Sequence, residues 1–291
     1  MSVSNSVTVE GSGMTEASKL KESNLGASPD WRRQASCCYH DSMDPSIRAI
    51  LFDLSGVLYE GGRTVPGARE AVEEARNRDL VVRFVTNTAT KAREDILDKL
   101  GRFDIPAEGE ELFTAPDAAL DYLERNDLRP YCLVHEAIEY EFNRFRNDAP
   151  NAVVLGDARM KLHYDSLNRA FQLCMDGAPL IAIGKNRYFK TEEKLQLDAG
   201  AFVTAIEWAA GIEAIVVGKP GRTYFEGVVA STGFEARECL MIGDDLEGDV
   251  IGARETGLEA VLVRTGKFQP DDEENLPEGA TLIDSVADLL D

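Results

Sequence analysis

From Ile47 onward the chain alternates between short apolar runs and longer amphipathic stretches. The runs cover 47–52, 80–85, 112–114, 131–134, 152–155, 180–183, 214–217, 239–242 and 259–263. They are too short and too rich in Val, Ile and Leu for helices and predict buried strands. The stretches between them predict helices. Over 66–78, Ala68, Ala71, Val72 and Ala75 share one helical face. Further helices are predicted over 91–100, from Pro116, a favoured first-turn residue, and near 136–145, 166–175, 201–209, 223–231, 247–256 and 286–290. This β-α-β-α order implies a parallel sheet joined by right-handed crossovers. Residues 1–45 are rich in Ser, Glu and Gly without sustained periodicity and predict a disordered extension.

At 291 residues the chain is long enough for two domains. The predicted division is a Rossmann-like α/β core from 46–127 and 210–291, with the strand at 214–217 resuming the core sheet, and an α/β lobe at 128–209. About eighty residues suffice for a small independent lobe. Inserted between two halves of a sheet, it lies over the strand ends as a lid.

Four strand ends carry the candidate chemistry. The first run ends on Asp53-Leu-Ser55-Gly56, the second leads into Thr86-Asn87-Thr88, the 214–217 run into Gly218-Lys219-Pro220, and the 239–242 run into Gly243-Asp244-Asp245-Leu-Glu-Gly-Asp249. In open α/β sheets ligands bind at the carboxyl ends of strands. Asp53 alone reads equally as a nucleophile, a metal ligand or a helix cap. Thr86-Asn87 is also a helix N-cap pattern, and a helix N-terminus is an anion site as well. Lys219 alone is a loop lysine. Together, acid, hydroxyl, lysine and acid cluster suit a phosphoryl group and a divalent cation.

Other arrangements fail. The acidic cluster does not have the spacing of a calcium-binding EF-hand loop. No G-x-S-x-G elbow, Walker A sequence or dinucleotide-binding glycine pattern occurs. His40, His135 and His163 are scattered, and Cys37-Cys38, with His40 and Asp41 nearby, lacks the second pair a metal site needs. Five cysteines without a framework spacing indicate a reducing compartment, the cytoplasm or nucleus. No apolar stretch reaches the length of a membrane helix. The net charge is −21, of which residues 1–45 contribute only −2. A field of that sign disfavours nucleic acid and anionic membranes, so a phosphate substrate must be drawn in by local cations. Lys185, Arg187 and Lys190 form one basic patch in the predicted lobe, read either as a contact for an anionic leaving group or as a solvated loop.

The four signals in this order make residues 46–291 resemble the haloacid dehalogenase (HAD) superfamily, in the subclass IIA whose large α/β C2 cap lies between the second and third motifs. The resemblance implies an Mg²⁺-dependent phosphatase working through an aspartyl-phosphate on Asp53. It further implies that Asp53 and Asp244 supply side-chain oxygens to Mg²⁺ and Ser55 its backbone carbonyl. Asp249, with Asp245 as the alternative, holds a metal-bound water. Thr86 and the Asn87 amide donate to the phosphoryl group, and Lys219 balances the charge. Its implied substrates are a phosphorylated small molecule, a phosphoamino acid or pyrophosphate, and its cap surface is a homodimer interface. A catalytically weak phosphate- or metal-binding interaction module is the rival reading. Dehalogenation, which needs no metal, is disfavoured by the acids around Asp244. The departure from the family pattern is Ser55, where most members carry a second Asp that protonates the leaving group. Serine cannot do so at neutral pH, which points to P–N bonds and pyrophosphate.

Overall fold

The computed structural model describes residues 44–145, 149–190 and 194–289, all within the unit Tyr39–Asp291. The expected tail, apart from its last two residues, and with it Cys37, Cys38, His40 and Asp41, lies outside the described residues, as does the end of the expected 286–290 helix. Strands and helices follow in the order β1 (Ala49–Asp53), β2 (Tyr59–Glu60), β3 (Arg63–Thr64), α1 (Ala68–Asn77), β4 (Val81–Thr86), α2 (Arg93–Arg102), β5 (Leu112–Thr114) and α3 (Ala115–Arg125). Then come β6 (Pro130–Leu133), β7 (Ala152–Leu155), α4 (Tyr164–Met175), β8 (Leu180–Ala182), β9 (Tyr188–Lys190), β10 (Leu195–Leu197), α5 (Ala199–Ala210) and β11 (Ile215–Val216). The chain finishes with α6 (Arg222–Thr232), β12 (Cys239–Gly243), α7 (Gly252–Thr256), β13 (Glu259–Val263) and β14 (Ala280–Ile283).

The larger sheet has the order β14-β13-β12-β1-β4-β5, every pair parallel. All five residues of β1 are buried, which is why its sequence is continuously apolar rather than alternating. Ile50 and Phe52 pack on one face with Phe84, Val72 of α1 and Leu100 of α2. Ala49 and Leu51 pack on the other with Phe225 and Val228 of α6 and Ala253 of α7. From β1 the chain builds first toward β4 and later returns to the β12 side. The carboxyl end of β1 is therefore the topological switch point where such sheets open a crevice, and Asp53 is the residue there.

The smaller sheet, β11-β8-β7-β6, is also parallel. Val153 and Leu155 of β7 face Ala170 of α4 and Val203 of α5, while Ala152 and Val154 face Ala115, Ala119 and Leu123 of α3. Two expectations are corrected here. The 214–217 strand does not resume the larger sheet, because Ile215 and Val216 pair with Ile181 and Ala182 of β8. Likewise α3, although it follows a strand of the larger sheet, lays its 115/119/123 stripe on the smaller one. A run such as Ile-Val-Val declares that it is buried but not against which sheet. Residues 139–145 form a 3₁₀ helix, and 246–251 a π-helical turn ahead of α7. The short hairpins β2–β3 and β9–β10, and the edge strand β14, lie in segments without an apolar run. No helix among the described residues is long and apolar enough to cross a membrane.

One buried hydroxyl fixes the strand ends beside the crevice. Tyr224 of α6 accepts a hydrogen bond from the Thr86 N–H at 3.2 Å and donates one to the Phe113 carbonyl at 2.7 Å, so it ties β4 to β5. Tyr224→Phe keeps the ring and removes both bonds. It is expected to lower stability by about 1–3 kcal/mol, measured as a shift in denaturation midpoint with an unchanged denaturant slope. An unchanged midpoint would show that the hydroxyl bears no weight.

Candidate active site

Four charged side chains meet inside the protein at the carboxyl edge of the larger sheet. Asp53 is 6% exposed, Lys219 4%, Asp244 2% and Asp249 1%. Asp53 ends β1, Asp244 follows β12, and Asp249 sits in the π-helical turn beyond it. Lys219 arrives from the other sheet, three residues after β11, and its ammonium pairs with both Asp53 Oδ1 and Asp249 Oδ1. One carboxylate oxygen each of Asp53, Asp244 and Asp249 lies within 4.8 Å of the others.

Three carboxylates against one ammonium leave this pocket short of positive charge. Burial raises the Asp244 carboxyl well above the ordinary range, and the neighbouring Asp53 and Asp249 raise it further. Burial likewise raises Asp249 to about 6, with Asp53 adding to the rise and Lys219 opposing it. For Lys219, burial works against the charge but is outweighed by Asp249 and Asp53, so it stays protonated. Beyond its contact with that ammonium, the buried Asp249 Oδ1 has no hydrogen-bond partner among the described residues. A cluster of hard oxygens with a charge deficit fits a divalent cation.

The backbone around Asp244 leaves no room for side chains. Gly56 has φ +96°, and a Cβ there would sit 1.9 Å from Asp244 Oδ2; at Gly266, φ +69°, it would sit 2.0 Å from the same oxygen. The Lys267 N–H donates to Asp244 Oδ2 at 2.8 Å. Asp245 points into different company, accepting from the Gly248 N–H at 2.9 Å and from the Lys267 ammonium at 2.9 Å. It is therefore Asp249, not Asp245, that shares the cluster with Asp53 and Asp244.

The remaining expected residues line the same cavity, of about 230 Å³. The Thr86 hydroxyl accepts from the Thr88 N–H at 3.1 Å and contacts the Thr88 hydroxyl at 3.0 Å. Ser55 is exposed and lines the cavity. The Asn87 side chain is engaged elsewhere than expected: its Oδ1 accepts from the Lys219 N–H at 2.8 Å and its Nδ2 donates to the Lys219 carbonyl at 2.7 Å. This clasp pins the lysine, delivered by the smaller sheet, to the larger one. Lys185 pairs with Glu207 at 2.8 Å, and neither it nor Arg187 lines the cavity. The cations that do, besides Lys219, are Arg159 and Lys267. Sequence reasoning did not single out either, because Lys267 follows a strand without a motif around it and Arg159 lies in an unpatterned loop.

Two family models match: haloacid dehalogenase-like hydrolase over residues 50–145 and HAD-hydrolase-like over 216–289. The human haloacid dehalogenase-like hydrolase domain-containing protein 2 is 44% identical over 231 residues, covering 79% of this chain and 89% of the relative. The chain belongs to the haloacid dehalogenase-like hydrolases. Another such hydrolase, the bovine phospholysine phosphohistidine inorganic pyrophosphate phosphatase, is 42% identical over 254 residues, covering 84% of this chain and 93% of the relative. Among solved structures, a 4-nitrophenylphosphatase from Thermotoga maritima superposes with a TM-score of 0.77 at 23% identity, covering 84% of this chain and 97% of that one, a likeness of fold. A thermostable NPPase double mutant from Geobacillus stearothermophilus superposes with a TM-score of 0.75 at 26% identity, covering 84% and 98%.

The charge deficit predicts that this hydrolase's stability depends on pH and on added cation. The folded-state value of Asp249, about 6, lies above its unfolded value near ~3.9. Its stabilising contribution is thus complete below the unfolded value and lost as pH rises through about 6. Without divalent cation, Asp244→Asn is expected to melt about 2–4 °C higher than wild type at pH 7.5, the shift of roughly 1 kcal/mol in a protein this size. Adding Mg²⁺ should raise the wild-type midpoint and leave the variant's nearly unchanged. A variant that melts lower than wild type in chelator would contradict the charge-deficit account.

Proposed function

We propose that this HAD-family phosphatase hydrolyses phosphoryl groups through a covalent aspartyl-phosphate on Asp53, with Mg²⁺ as its cation. The observation that carries the reading is Asp53 itself: a buried carboxylate at the sheet's switch point, paired with Lys219, one oxygen within 4.8 Å of Asp244 and Asp249 oxygens. The relatives point the same way, since one is named for the hydrolysis of phospholysine, phosphohistidine and inorganic pyrophosphate.

Lys219 pairs with Asp53, and a carboxylate oxygen is the atom that attacks phosphorus. Thr86 and Thr88 line the same cavity. Turning the Thr86 hydroxyl away from Thr88 makes it a donor to a phosphoryl oxygen. The role expected for the Asn87 amide passes to its clasp, which fixes where the Lys219 ammonium sits. Asp53, Asp244 and the Ser55 carbonyl would hold the cation, with Asp249 contacting it through water. When bound, it supplies the positive charge that offsets the transferring phosphoryl group. Water then hydrolyses the aspartyl-phosphate and frees Asp53. The smaller sheet with α3, α4 and α5 serves as the cap over the site, and the protein works in the cytoplasm.

Ser55 stands where a proton donor would assist the leaving group, so that group must depart with its own proton or as a weak base. Imidazole, at about pKa 6.5, leaves readily, while a phenol at about pKa 10 is harder and an alkoxide harder still. The preferred bonds are accordingly P–N and pyrophosphate.

Asp53→Asn is nearly isosteric and is expected to abolish turnover while retaining the wild-type circular dichroism spectrum. Substantial Mg²⁺-dependent hydrolysis by the purified variant would remove the covalent mechanism. Activity confined to phosphate or metal binding in the wild type would favour the interaction-module reading instead.

The leaving-group argument has its own check. Wild-type kcat/KM should fall from phosphoramidate through aryl to alkyl phosphate, and Ser55→Asp should raise the alkyl rate by about 10²-fold, the low end for a positioned general acid. Faster alkyl than phosphoramidate hydrolysis by the wild type would mean that another group supplies the proton.

A further inference from the structure

Part of the wall of the cavity that holds Asp53 comes from the smaller-sheet side, and one of its residues has an unusual backbone. Four non-glycine residues among those described have left-handed φ: Asp79, Asp104, Asp127 and Arg159. The three aspartates lie just past the ends of α1, α2 and α3, and short polar side chains visit this conformation routinely. Arg159 is neither short nor at the end of such a helix. Its φ of 49° turns the chain after β7 so that Arg159 lines the cavity that contains Asp53 and Lys219. Strain of this kind persists where the surroundings hold the residue for a purpose.

Those surroundings are specific. The Arg159 guanidinium lies 4.7 Å from the centre of the Phe189 ring, and its Nη2 is 3.1 Å from Asp157 Oδ2. Phe189 and Asp157 line the same cavity, as does Asp198, whose carboxylate accepts from the Ala199 N–H at 2.6 Å at the start of α5. The Arg159 side chain is 44% exposed, leaving part of its five-donor fork open. The wall thus offers one guanidinium, one aromatic face and two carboxylates.

Each class of leaving group fares differently against this wall. A second phosphate would satisfy the guanidinium but would face both carboxylates. An aryl or alkyl group would cover three charges and return nothing to them, which is costly. A zwitterion answers both signs: its carboxylate takes the free N–H groups of Arg159, its ammonium takes Asp157 and Asp198, and its hydrocarbon or ring lies on Phe189.

We propose that the leaving group of this enzyme is a free α-amino acid, phosphorylated on its side-chain nitrogen, and that Arg159, Asp157 and Asp198 are its specificity-determining residues. This rests on the phosphatase reading of the Asp53 site. In the reaction, Asp53 attacks phosphorus and the P–N bond breaks with its electron pair on nitrogen, which keeps or takes up a proton. Water then cleaves the aspartyl-phosphate, giving phosphate and the amino acid.

The test compares free Nε-phospholysine with its Nα-acetyl, C-terminal amide derivative, which keeps the P–N bond and the side chain but lacks both α-charges. Pyrophosphate and 4-nitrophenyl phosphate complete the series. Wild type should favour the free compound over the capped one by about tenfold or more in kcat/KM, mostly through KM, the scale of charge-assisted hydrogen bonds. Arg159→Asn, which tolerates the left-handed backbone, and Asp198→Asn, which can still cap α5, should each shrink that ratio toward one.

Equal hydrolysis of free and capped phospholysine, or faster hydrolysis of pyrophosphate than of free phospholysine, would overturn the proposal. So would an Arg159→Asn variant that slows every substrate by the same factor. If 4-nitrophenyl phosphate is still cleaved by wild type and not by Asp53→Asn, the phosphatase reading survives that failure. If no substrate is cleaved in an Asp53-dependent way, both fall together.

Discussion

Asp53, Asp244 and Asp249 bring three carboxylates into a pocket where Lys219 is the buried cation, and almost every local feature answers that imbalance. Two of the carboxyls are raised above their ordinary range, and the lysine stays charged although it is buried. Glycines at 56 and 266 allow backbone to close on Asp244 where any side chain would collide. A buried set of like charges is destabilising until it meets its ligand, a familiar exchange of stability for function. The site's tolerance for a cation and a phosphoryl group, and its poor fit to a neutral ligand, come from the same deficit.

The larger sheet makes that crowding possible. Its strands are parallel, so their carboxyl ends lie at one edge, and each of β1, β4 and β12 delivers its polar residues to that edge. Phe52 and Leu51 on opposite faces of β1 are wholly buried and anchor the strand whose last residue is Asp53. Tyr224 then fixes the neighbouring strand ends through one hydroxyl. The geometry of the charges is thus set by apolar packing some way beneath them.

Much of this was legible in the amino-acid order. Continuous apolar runs revealed the strands because parallel strands buried on both faces need no polar positions, and Asp53, Thr86, Lys219 and Asp244 were legible as residues ending such runs. What the order did not reveal was partnership. Ile215–Val216 has the same composition whether it joins one sheet or the other, and only its register with Ile181 and Ala182 decides. Asn87 reads as a donor to substrate, yet its amide is matched to the backbone N–H and carbonyl of a residue 132 positions away. Arg159 was invisible because its distinction is a backbone angle, and two of the basic residues that did stand out, Lys185 and Arg187, do not line the cavity. Contacts between distant segments carry no local pattern.

The placement of β11 also bears on how this protein can be taken apart. Between Val216, hydrogen-bonded into the smaller sheet, and Lys219, bonded to Asn87 and to two carboxylates of the larger one, there are only two residues. One residue added or removed there would move the ammonium by about 3.3 Å, a strand's rise per residue, enough to break both ion pairs. Surface loops elsewhere tolerate changes in length; this tether does not. A chimera that exchanges the smaller lobe between related chains must therefore make its downstream cut after Pro220, carrying the lysine with the lobe.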